Sequence, residues 1–151
     1  MPHDQQNPQP ADATADATSE QPAKAPHIEL NHTAIYSRDR RRSAEFLAGL
    51  LGLEVGAPFG PFIPVDLGNG VTLDYYEKRD EPIQSQHYAF LVPAERFDAM
   101  IAHLEAAGVT YYADPYHSRP GEVNNLFGGH GAYFLDPDGH NLEIMTVPYA
   151  R

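Results

Sequence analysis

From His27 onward the chain runs one order of elements twice: strand, helix, strands, then strand, helix, strands. "HIELNHTAIYS" alternates and is rich in strand formers, so it reads as a strand. "SRDRRRSAEFLAGLLGLEV" follows, with Ala44, Leu47, Leu50 and Leu51 at helical spacing, Ser37 or Asp39 placed to cap its start, and Gly52 to close it. "FIPVDLG" and "VTLDYYEK" are two short strands around Gly68, Asn69 and Gly70, a hairpin signal. The order then restarts. "QHYAFLV" predicts a strand, "PAERFDAMIAHLEAAG" a helix with Phe97, Met100, Ile101 and Leu104 on one stripe, and "VTYYAD" a strand. A long irregular loop follows, and "GAYFLDP" with "HNLEIMTV" forms the last hairpin. The halves match residue by residue, which marks an internal repeat. His32 opens the first and His87 the second; Gly52 and Gly108 end the helices; Leu73 and Asp74 align with Leu142 and Glu143. A two-fold relation between the halves would bring these two histidines and two carboxylates together on facing sheets.

The stretch before the repeat is of a different kind. Residues 1–26 are rich in Pro, Ala, Gln, Asp and Thr, with almost no large apolar side chain and no period, and are expected to form a disordered tail. They lack the basic start and apolar run of a signal peptide, and no apolar stretch in the chain is long enough to span a bilayer. A cytoplasmic protein without membrane contact is therefore expected, with one domain over residues 27–151 made of modules at about 28–80 and 84–148. The chain has no cysteine, which excludes disulfides, thiolate zinc sites and a cysteine nucleophile. A net charge of −11 repels phosphate backbones and argues against nucleic acid as a partner.

Three segments carry a resemblance: "NHTAIYSRDRRRSAEFLAGLLGLEV", "HYAFLV" and above all "GAYFLDPDGHNLEIMT", an aromatic strand, a D-P-D-G turn and a glutamate between apolar residues. Over about residues 28–148 the chain resembles the vicinal oxygen chelate superfamily, which holds glyoxalase I, type I extradiol dioxygenases, fosfomycin-resistance enzymes and bleomycin-resistance proteins. The resemblance implies an α+β fold of two βαβββ modules, their strands curled into an open, cup-shaped mixed sheet. It also implies a divalent metal held by His32, His87 and Glu143. The glyoxalase branch adds a ligand at the position of Asp74; aspartate is shorter than the usual glutamate, so Asp74 is assigned to the substrate wall. Members of the family commonly form homodimers, sometimes completing the metal site across chains, and act on small-molecule substrates that chelate the metal through two oxygens.

Strand parity supports the same partition independently. If His32 points into the cup, so do Ala34 and Tyr36; if His87 does, so do Ala89 and Leu91; if Glu143 does, Asn141 and Met145 join it, while Asp74 goes with Thr72 and Tyr76. The bulky apolar residues then fall on the other side. A buried carboxylate in a central strand needs a partner or a metal. Two imidazoles and a carboxylate suit Fe(II), Mn(II), Ni(II) or Zn(II) and leave positions open for substrate. Tyr76 and Tyr133 are candidate wall residues. The loop from Ala113 to His130 is the expected rim, with Arg119 a candidate for anion binding and His117 or His130 for proton transfer; Tyr76 is a further catalytic candidate. The expected activity is dioxygenation, isomerisation or lyase chemistry, or thiol transfer. The alternative is a metal-free protein that sequesters a drug or natural product.

Overall fold

The computed structural model describes residues 27–150; the tail expected over residues 1–26 lies outside them. The first module contains β1 (His32–Ser37), α1 (Arg40–Leu51), β2 (Phe62–Asp66) and β3 (Thr72–Glu77). The second contains β4 (His87–Leu91), α2 (Ala94–Ala106), β5 (Tyr111–Tyr112), β6 (Gly131–Leu135) and β7 (Asn141–Met145), with a single 3-10 turn at Leu126–Gly128. The repeat read from the sequence is therefore present. The strand expected over residues 109–114 shrinks to two residues, because the chain turns at Ala113 into a loop whose amides bond to the Asp114 carboxylate instead of to a neighbouring strand.

Local chemistry sets the element ends. The Asp39 side chain accepts from the amides of Arg41 and Arg42, satisfying two free donors of α1 and placing negative charge at its positive end. That cap offsets the arginine cluster which follows it. Gly52 closes the helix at φ 64°, a left-handed conformation that disfavours any residue with a Cβ.

Each module forms its own mixed sheet, in the order β1-β3-β2 and β4-β7-β6-β5, and neither closes into a barrel. In each the first strand pairs in parallel with the last: His32 lies opposite Thr72 and His87 opposite Asn141. One face of both sheets packs under the helices. Ile35, Ile63, Val65, Leu73, Tyr75, Phe90, Phe134, Leu142 and Ile144 join Leu47, Leu50, Phe97, Met100 and Leu104 in one core. The opposite face stays open, with Tyr36 46% and Leu91 61% exposed on it.

The modules are stitched at a seam between β1 and β4. His140, buried at the end of the D-P-D-G turn, accepts from the Gln86 amide through Nδ1 and donates through Nε2 to the Tyr36 carbonyl. Asp138 in the same turn accepts from the Arg38 amide and the Ser43 hydroxyl, so the second module grips the start of α1. At the other end of the seam, Leu67, Gly68 and Asn69 share a cavity with Ala89, Leu91 and Val92. The end of β1 therefore meets the start of β4, and the two strands run in opposite directions across the seam. No helix among the described residues is long and apolar enough to cross a membrane.

Candidate metal centre

Glu143 sits mid-strand on β7, between Ala89 of β4 and Tyr133 of β6. Parity turns Leu142 and Ile144 into the core and leaves Glu143 on the open face, yet it is only 1% exposed. Its cover is Tyr149, beyond the last strand. The Tyr149 hydroxyl donates to Glu143 Oε1 and accepts from the Tyr133 hydroxyl at 2.6 Å. Burial, then the hydrogen bond to Tyr149 and the nearby Glu143 carboxylate, pushes the Tyr133 phenol well up; burial and the bond to Glu143 push the Tyr149 phenol up as well. Both phenols therefore stay protonated as donors.

The other carboxylate oxygen is the anomaly. Glu143 Oε2 is buried and has no hydrogen-bond partner. His87 Nε2 lies 3.3 Å away, but the contact lacks hydrogen-bond geometry. On the far side of the ring, His87 Nδ1 donates to the Asn141 carbonyl at 2.8 Å. In the neutral imidazole this bond leaves a lone pair on Nε2. Two lone-pair donors thus face one spot. Such an arrangement is unfavourable for the bare protein and fits a divalent cation, with the backbone carbonyl behind the histidine as orienting partner.

His32 repeats half of this pattern. Its Nδ1 bonds to Asn31 Oδ1 at 2.8 Å, which again leaves Nε2 free on an exposed ring. It does not, however, meet His87 and Glu143 within one chain, and no group of three or more metal-ligating side chains forms among the described residues. The seam explains this departure from the expected convergence. The second module begins at the Tyr36 end of β1, and four residues of strand put His32 about 13 Å from there. Asp74 lies opposite Ala34 and Pro64 in the other sheet, so it too is apart from Glu143.

The remaining candidates divide. His117 comes to the centre's edge: its Nε2 donates to Asn141 Oδ1 at 3.1 Å, its ring stacks on Tyr112 at 4.2 Å, and its backbone holds φ 61°. Asn141 also donates to the Pro115 carbonyl, so the rim loop is tied to the residue whose carbonyl orients His87. His130 goes the other way. It packs 5.6 Å from Phe97 on the helical side and bonds to Asn125. Arg119 faces carboxylates of its own loop, Asp114 at 3.9 Å and Glu122 at 3.6 Å, rather than a ligand site. Tyr76 lines a cavity of about 500 Å³ with Ala34, Tyr36 and Phe62; its ring centroid is 5.9 Å from that of Tyr36 and 5.7 Å from that of Phe62. Met145 lies opposite Leu91 and Gly131 on the open face. Sequence reasoning missed Tyr149 and Asn31. Asn31 beside the first-strand histidine was a usable signal. Tyr149 was not, since nothing in "TVPYA" shows that the chain folds back.

Known proteins share this sequence pattern and this fold. Residues 29–144 match the profile of the Glyoxalase/Bleomycin resistance protein/Dioxygenase superfamily. A glutathione transferase, FosA, from Serratia marcescens is 37% identical over 120 residues, covering 76% of this chain and 78% of its own. Among solved structures, the oxidase ChaP-H2 is 56% identical with a TM-score of 0.80, covering 82% of this chain and 96% of its own. The oxidase ChaP-H1 is 48% identical with a TM-score of 0.80, covering 83% of this chain and 100% of its own.

Proposed function

The chain belongs to the Glyoxalase/Bleomycin resistance protein/Dioxygenase superfamily, and from that premise we propose that it is a metal-dependent oxidase acting on a small oxygenated organic substrate. The observation that carries the proposal is the orphaned Glu143 Oε2 facing the lone pair of His87 Nε2. His87 and Glu143 would hold one divalent cation, with His32 of a second chain as third ligand. When bound, the cation supplies Lewis acidity toward a substrate with two adjacent oxygens and, if redox-active, a centre for oxygen chemistry.

The second chain enters for a geometric reason. His32 presents an oriented Nε2 on an open, partly apolar face, at the far end of the seam from His87. A two-fold dimer that apposes the first sheet of one chain to the second sheet of the other would bring His32 to Glu143 and bury that face. Being isologous, it would build two identical centres. The chain's own groups then do the rest. Asn141 and Asn31 orient the imidazoles. Ala34 and Ala89, small beside the ligands, leave room for substrate. The Tyr36, Tyr76 and Phe62 wall would pack a planar apolar body and exclude water. His117, through Asn141, would hold the rim.

A second reading, thiol transfer, is favoured by the likeness to the glutathione transferase. Oxygen uptake and thiol consumption separate them. Protein stripped of metal and titrated with Fe(II), Mn(II), Ni(II) and Zn(II) should bind about one ion per chain, and the Fe(II) form should consume oxygen with substrates bearing adjacent oxygens. Absence of binding by every ion would leave the metal-free binding protein instead. A flat oxygen trace with glutathione-dependent turnover would establish the transferase.

A further inference from the structure

We propose that Tyr149 is a positioning residue of the metal centre: the segment after β7 is a strap that delivers its hydroxyl to Glu143 Oε1 and so commits Oε2 to the cation. The inference rests on the metal reading above and adds a part to it.

The order of donors is fixed by chemistry. A carboxylate oxygen only accepts, so Tyr149 must donate to Glu143; its own oxygen then accepts from Tyr133 at 2.6 Å. The Tyr133 ring also stacks beside the His87 imidazole, with centroids 6.0 Å apart and planes 26° from parallel. One phenol pair thus constrains both ligands that the second module supplies. With Oε1 engaged, a single oxygen remains for metal, next to His87 Nε2.

The strap is built in, not loosely apposed. Thr146 exchanges bonds with His130: the Thr146 amide donates to the His130 carbonyl at 2.9 Å, and the His130 amide to Thr146 Oγ1 at 2.9 Å. Gly129 allows this approach, since a Cβ there would stand 2.7 Å from both Thr146 Oγ1 and Val147 Cγ2. Phe127 then packs on the Tyr149 ring at 5.2 Å while holding φ 55°, a conformation rare for a bulky side chain. A strained aromatic and a closely approached glycine both serve the placement of one tyrosine.

The test is titration of metal-free wild type, Y149F and Y133F with Mn(II), followed by visible spectra of the Co(II)-saturated proteins. Y149F should bind Mn(II) about 10–100-fold more weakly, the range for loss of a group that orients a metal ligand. Y133F, which keeps the Tyr149 donor, should lose less. At saturation the Co(II) bands of Y149F should shift, because the freed Oε1 alters the coordination; a role confined to stability would leave them unmoved. Mn(II) binding by Y149F within about twofold of wild type, with identical Co(II) bands, overturns the inference alone. Failure of the wild-type chain to bind Mn(II) or Co(II) overturns the metal reading and this inference with it. If Y149F melts early without metal, the Co(II) bands below its melting range still decide.

Discussion

Replacing Glu143 with glutamine changes one charge and almost no volume, so it separates the interests of the bare protein from those of the metal. In the bare protein Oε2 is a buried acceptor without a partner, close to the lone pair of His87 Nε2. An unmet buried acceptor costs about 1–3 kcal/mol. Glutamine puts an amide donor in that place, able to meet Nε2 with a small adjustment, and keeps a carbonyl for Tyr149. Against this, the Tyr149 bond loses its charge assistance, a loss of about 1 kcal/mol. The net expectation is a metal-free E143Q protein more stable than wild type by about 1 kcal/mol, or a melting temperature about 4 °C higher. With metal at 100 times the dissociation constant, wild type gains about 2.7 kcal/mol and the variant gains little. The order of melting temperatures should therefore invert when metal is added. Thermal scans with chelator and with Mn(II) read this directly. If E143Q melts below wild type in chelator, Oε2 is satisfied in the bare protein, and the argument from an orphaned ligand is wrong.

Three further expectations follow from the same structure. Asp74→Asn should leave Mn(II) affinity within about threefold of wild type in calorimetry, while E143Q weakens it by more than about 100-fold; comparable losses would make Asp74 a ligand. His140→Ala should destabilise the protein by about 2–3 kcal/mol in urea titration, because it strips the Gln86 amide and Tyr36 carbonyl of their shared partner and opens a hole at the seam. Asp136 is held above the usual aspartate range, chiefly by burial. A carboxyl raised on folding makes its ionised form unfavourable in the native state, a cost felt above the folded value and absent below the ordinary 3.8. Asp136→Asn keeps the Oδ1 acceptor for the Asp138 and His140 amides, so it should raise the melting temperature at neutral pH, with the gain fading as pH falls toward that value.

The repeat was legible because the chain writes it twice, with period-2 strands and a glycine after each helix. Parity alone placed Glu143 on the open face and Leu142 and Ile144 in the core, and the register of His87 against Asn141 agrees with it. What could not be read was the direction of the seam. A two-fold repeat brings matching residues together only if the sheets face each other, and here the modules join edge to edge through His140 and Asp138. That contact depends on a turn in one half meeting a helix start in the other, which no local pattern encodes. Tyr149 escaped for a similar reason, since its partner is set by a loop held by Gly129 and Thr146 rather than by strand period. His130 could not be placed from the sequence because loop composition carries no parity; three residues before Tyr133 it turns toward Phe97.

The claim that the centre is shared between chains is tested most directly by mixed dimers of His32→Ala and E143Q chains, isolated through two different affinity tags. Each parent dimer should bind no metal tightly. In the mixed dimer the H32A chain still supplies His87 and Glu143, and the E143Q chain still supplies His32. One complete centre should form, and the mixed dimer should hold one metal ion where the wild-type dimer holds two. A mixed dimer that binds no more metal than its parents, or a wild-type protein that binds metal as a monomer, would contradict the account.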